Sequence, residues 1–169
     1  MKEFKKEAKN ERLEDAYVKL INIINILPDE APVDILNTID FPPNYSHENY
    51  TAVINTLQYQ IEDDLKDESK NQIEIASKRA CIEELEKNEK RYLDAKDMYE
   101  SFKKNEKAII DLCASVGVKN AFVELDVLIN NAFVAGNKQF KAENGSNIKD
   151  ELKMRLVEEM RNDLGYDFI

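Results

Sequence analysis

The stretch IEELEKNEKRYLDAKDMYE, residues 82–100, decides how the chain is read. Leu85, Tyr92 and Tyr99 recur at heptad spacing, as in a helix that buries one seam against another helix. The acids Glu83, Glu86, Asp94 and Asp97 recur too. At about 100° of turn per residue they fall within about 60° of Glu83, on the side opposite the seam. Lys87 and Lys90 lie in the same arc. A metal site needs carboxylates turned inward and free of competing ammonium groups. The row is therefore expected to be the solvated face of a helix.

Working outward, no glycine or proline occurs between Pro43 and Gly117. These residues are the strongest punctuators of regular structure. Their absence predicts helix over most of 46–116, with Ser46 as N-cap and Gly117 as C′ residue. Tyr50, Ile54, Leu57, Ile61 and Leu65 form one seam. A second starts at Ile73, Ala76 and Ala80 and continues through Leu85. Between them KDESKNQ, residues 66–72, carries no apolar residue. That gap predicts a turn, and with it a long antiparallel, coiled-coil-like helical hairpin; one continuous helix is the alternative.

The flanking segments are also helical. Residues 1–27 place Leu13, Tyr17, Leu20, Ile24 and Leu27 on one face, and Pro28 stops that helix. Residues 28–45 read as a proline-rich connector with one short helix. Residues 119–135, from an Asn120 cap to a Gly136 stop, are apolar all round and need cover. A last helix, 146–164, starts at Ser146 and stops at Gly165, with Ile148, Leu152, Leu156, Met160 and Leu164 on one side. Sustained period-two alternation is lacking, so no strand is predicted. The expected fold is a single all-α domain over 1–169, an elongated helical bundle made of the hairpin and a compact C-terminal helical part.

Composition narrows the function. A formal charge of −10 repels phosphate backbones, so no direct nucleic-acid binding is expected. No apolar run approaches the roughly 18–20 residues a membrane helix needs, and the charged opening MKEFKKEAKNER lacks a signal-peptide core. A cytoplasmic location with no membrane contact follows as the expectation. The abundance of Asn, Lys and Ile fits an AT-rich genome, as in many bacteria and phages. His47, Cys81 and Cys113 cannot make a four-ligand zinc site within one chain, and a di-iron bundle wants two Glu-x-x-His pairs. Neither a glycine-rich phosphate loop nor an HExxH motif is present. Accordingly no catalytic residue, metal ligand, cofactor or small-molecule substrate is assigned.

What remains is surface for other proteins. Tyr92, Tyr99, Phe122, Leu125, Ile129, Phe133, Tyr166 and Phe168 are the candidate protein interface. The expected function is a non-enzymatic adaptor, small subunit or assembly factor of a larger cytosolic complex, with a protein partner or self-association. The alternative is an acidic immunity protein, antitoxin or other inhibitor that neutralises a basic partner. An enzyme holding Mg²⁺ on carboxylates is a third possibility.

Overall fold

A computed structural model of the chain describes residues 2–27, 47–67, 69, 71–134 and 145–166. Among them the fold is all-α, as the periodicity predicts, and contains no β-strand. The helices are α1 (Lys2–Ile26), α2 (His47–Asp64), α3 (Gln72–Asn105), α4 (Lys107–Cys113), α5 (Val116–Val134) and α6 (Ile148–Leu164). They form two compact units. One comprises residues 1–27, 94–130 and 140–169, and the other residues 28–93 and 131–139. The short helix expected within 28–45, the Ser46 cap and the Gly136 stop lie outside the described residues.

In the second unit, Tyr50, Val53 and Leu57 of α2 pack with Leu85 and Tyr92 of α3, with Ile54, Cys81 and Ile82 at the edge. The contacts run in opposite order along the two helices. Asn88 Nδ2 donates to the Tyr50 hydroxyl at 2.8 Å near the start of α2, and Lys78 meets Asp64 at 2.5 Å near its end. The two helices are therefore antiparallel where they touch. In the turn, Asp67 accepts from the backbone N–H and hydroxyl of Ser69, and Asn71 Oδ1 caps α3 by accepting from the Ile73 N–H.

The seam begins elsewhere than expected. Ile73, Ala76 and Ala80 are exposed, and Ile75 takes the buried position. Ile73 lies about 120° round the helix from Leu85, so those residues never shared its face. Leu65 is likewise exposed, while Val53 is buried.

Asn88 occupies a seam position, 9% exposed, and its bond to Tyr50 offsets the cost of burying an amide. Tyr50→Phe should cost roughly 1–3 kcal/mol, because it strands that amide. Tyr50→Phe combined with Asn88→Leu should recover most of the loss. Urea unfolding of the two single variants and the double variant checks this, and additive losses would contradict it.

The first unit is built on α1. Leu13, Tyr17, Leu20, Ile24 and Leu27 are all buried, as their spacing predicts, together with Ala16 and Ile23. This face packs against α4 and α6. Ala95, Tyr99 and Phe102 of α3, Ile110 of α4, Ala114 just after it, Val118, Ala121, Phe122, Leu125 and Ile129 of α5, and Leu156 and Met160 of α6 are buried with it. Lys149, in the first turn of α6, is buried and donates to the Leu27 carbonyl at 3.0 Å, just past the end of α1. An ammonium there satisfies a carbonyl left open by the helix terminus.

Helix does not run on to Val116. It breaks at Glu106, where the backbone tightens so that the Ile109 N–H reaches the Glu106 carbonyl. No glycine or proline marks the break. Instead the Glu106 carboxylate meets Lys19 of α1 at 2.6 Å. α4 ends where Ala114 turns extended, at ψ 156°. Ser115 then caps α5, its hydroxyl accepting from the Val118 N–H at 3.3 Å. Asn120 is inside α5 and exposed, so it is not the cap. Gly117 opens α5 rather than closing the helix before it. The Glu159 carboxylate occupies the space a Cβ on Gly117 would need, beside the positive end of the α5 dipole. α6 is capped by Asn147, one residue after Ser146, through the Asp150 N–H. It ends at Gly165 as expected. Gly165 has φ +78°, and the Tyr166 N–H returns to the Arg161 carbonyl.

Candidate interaction surface

α5 is apolar on two faces, and among the described residues one is packed into a core while the other is exposed. Val118, Phe122, Leu125 and Ile129 point into the first unit, where the Phe122 ring meets Phe102 edge-on at 6.3 Å. The opposite face carries Val116 at 71% exposure, Val123 at 59% and Val127 at 54%, with Asn120 exposed between them. Single exposed valines are ordinary. Here the three fall within about 40° of one another around the helix, so they make a stripe.

Each side of the stripe is bounded by charge pairs. On one side Tyr99 donates its hydroxyl to Asp126 Oδ1. Lys103 approaches Asp126 and Asn130, each at 3.2 Å, and its ammonium lies 5.3 Å from the centre of the Tyr99 ring. Burial, and then the bond to Asp126 and its charge, push the Tyr99 phenol up, beyond the usual tyrosine range. On the other side Arg155 of α6 meets Glu124 at 2.5 Å, with both side chains more than half exposed. An apolar centre with a polar rim is the ordinary anatomy of a protein interface.

The first unit also holds a cleft of about 520 Å³, with Ile23, Met98 and Phe102 as apolar lining and Asn22, Ser101 and Asn105 as polar lining. Its size suits a small ligand. The charged groups Lys19 and Glu106 at its margin are engaged with each other. The acidic residues Glu83, Glu86, Asp94 and Asp97 of α3 are all exposed, as their angular arrangement predicts, and so is Glu100. Among the described residues, no group of three or more His, Cys, Asp or Glu side chains is placed to hold a metal ion. No helix among them is long and apolar enough to cross a membrane.

No protein family, curated protein or solved structure matches this chain.

The residues expected to form an interface are mostly interior. Tyr92, Tyr99, Phe122, Leu125 and Ile129 are each no more than 3% exposed. They cover one another and their neighbours in this chain's own cores, and as folded they present nothing to a partner. Tyr166 is 52% exposed and donates to Glu14 at 3.3 Å. The side chain of Phe133, and Phe168 altogether, lie outside the description. The outer valines of α5 were missed. Their signal was the apolar character of that segment on all sides, which requires a second covered face beyond the core-forming one.

The buried tyrosines set an alkaline limit on stability. Burial chiefly pushes the Tyr50 phenol up to about 12, against the Asn88 amide, which pulls the other way. An unfolded tyrosine ionises near pH ~10. Above that pH the unfolded chain releases a proton that the folded chain retains, so stability falls as pH rises. Tyr17 and Tyr99, also shifted upward, act in the same direction. The stabilisation should be complete below pH ~10 and fall away from there through about 12. Denaturant melts across that window, read beside tyrosinate absorbance, test it. Ionisation of these phenols near pH ~10, as in an unfolded chain, with the fold intact would contradict it.

Proposed function

We propose that this chain is a non-enzymatic cytosolic interaction module, a small subunit, adaptor or assembly factor, and that the outer face of α5 is its contact surface. The single observation behind this reading is the double-sided α5. Its inner face completes a core, and its outer face lines up Val116, Val123 and Val127 in solvent between two charged borders. Aligned exposed apolar residues with a polar rim mark contact sites more often than scattered ones do.

The test is a double variant, Val123→Lys with Val127→Lys. Both positions are exposed, so the melting temperature should stay within about 3 °C of the parent chain. Affinity capture from the native host and sedimentation velocity should both lose the association that the parent shows. An unchanged pattern in both assays would remove α5 from the proposal. The exposed acids of α3 support a second reading, an acidic inhibitor of a basic partner. In that case the association rate falls steeply with salt and ignores the valine changes.

A further inference from the structure

We infer that α5 pairs with α5 of a second copy of this chain, antiparallel, about a two-fold axis level with Leu125. This rests on the outer face of α5 being the contact surface, and it names the partner. Along that face the sequence runs Asn120, Val123, Val127, Asn130, with gaps of three, four and three. The alternation of three and four is the spacing of a helix–helix seam. The series is also identical read from either end. Rotation about Leu125 sets Val123 of one copy against Val127 of the other and Asn120 against Asn130. Each carboxamide therefore meets a carboxamide rather than a valine: Asn130, whose Oδ1 already accepts from Lys103, has its amide N–H groups left to donate to Asn120 of the other copy. Nothing in the inner face of α5 demands this symmetry.

Charge supports the same occupant. The chain carries −10, so two copies repel at long range. Around the stripe, however, Lys103, Lys119 and Arg155 offset Glu124 and Asp126, and the patch is close to neutral. An antiparallel two-fold brings each border against its own counterpart. The exposed Glu124–Arg155 pair of one copy then runs opposite the same pair of the other, so each carboxylate has an arginine from the other copy within reach. Antiparallel packing also sets the two helix dipoles head to tail. One pair of helices about 28 Å long is a small contact beside the roughly 800 Å² per partner of a standard interface. The dimer should therefore be concentration-dependent.

Sedimentation velocity over a wide concentration range reads the dimer in the full chain. Asn120→Asp with Asn130→Asp should weaken it by about tenfold or more, because like charges meet at both positions. Asn120→Lys with Asn130→Asp, both on one chain, should restore it, since the antiparallel register then pairs lysine with aspartate. A parallel pairing would be broken by that second variant, and this outcome would overturn the proposed register. A parent chain that stays monomeric at every concentration overturns self-pairing altogether. If Val123→Lys with Val127→Lys then still abolishes capture of another protein, the contact surface stands and only its occupant changes. If it does not, the surface falls as well.

Discussion

A chain carrying Leu125→Asp should lose its cooperative thermal transition. Leu125 is fully buried on the inner face of α5, between the levels of Phe122 and Ile129 in the same core. Aspartate there removes an apolar side chain and sets a carboxylate in a space made for leucine. A buried charge without a partner costs several kcal/mol or forces the group to take up a proton, and the lost leucine volume adds a cavity. Together these place the change at about 4 kcal/mol or more, against a total stability of roughly 5–15 kcal/mol for a domain. Circular dichroism melts and hydrogen exchange of the first unit should show the loss. Glu86→Gln is the matching control. Glu86 is exposed on the acidic face of α3, so its change should fall within about 0.5 kcal/mol of zero. Were the control the more damaging of the two, the reading of that face as solvated would be wrong.

The contrast between these positions shows what the sequence could and could not reveal. Periodicity identifies a face, and the α1 face of Leu13, Tyr17, Leu20, Ile24 and Leu27 was legible because every member fits one stripe ending at a proline. Periodicity does not identify what covers a face. Tyr92 and Tyr99 lie on a seam that reads the same whether its cover is this chain or another. Only the fold shows that Tyr50 and Leu57 cover the first, and that the second is turned toward Asp126. The break at Glu106 was illegible for a related reason. It has no local breaker and coincides with an ion pair to a residue 87 positions away. Ser115 was legible in principle, being a good N-cap type before an apolar run. Asn120, of the same type and a few residues on, competed with it, and Gly117 suggested that a helix ended there. In fact Gly117 is needed for the approach of Glu159, a contact from another helix.

Asp163→Ala should be the most damaging change among the partly exposed polar residues. Three helices of the first unit meet at this carboxylate. Tyr17 of α1 donates its hydroxyl to Asp163 Oδ2 at 2.5 Å, and the backbone N–H of Ser115, the cap of α5, donates to the same oxygen at 3.2 Å. Asp163 itself sits in the last turn of α6. Hydrogen bonds to a charged group contribute about 1.5–3 kcal/mol each, and the two share one acceptor, so the loss should be roughly 2–4 kcal/mol. Asp163→Asn keeps a carbonyl oxygen for Tyr17 and should cost about half as much. A structural loss of any other origin would also lower the melting temperature, so the decisive readout is the Tyr17 phenol. Burial is the main reason that phenol titrates above its ordinary range, and the bond to Asp163 and its charge come next. Removing Asp163 should therefore move the alkaline titration of Tyr17 downward while leaving that of Tyr50 in place. Tyr17→Phe with Asp163→Ala should cost less than the two single changes added together, because each alone already breaks the bond they share. A stability loss with no movement in the Tyr17 titration would show that Asp163 holds the three helices by some route other than this hydrogen bond.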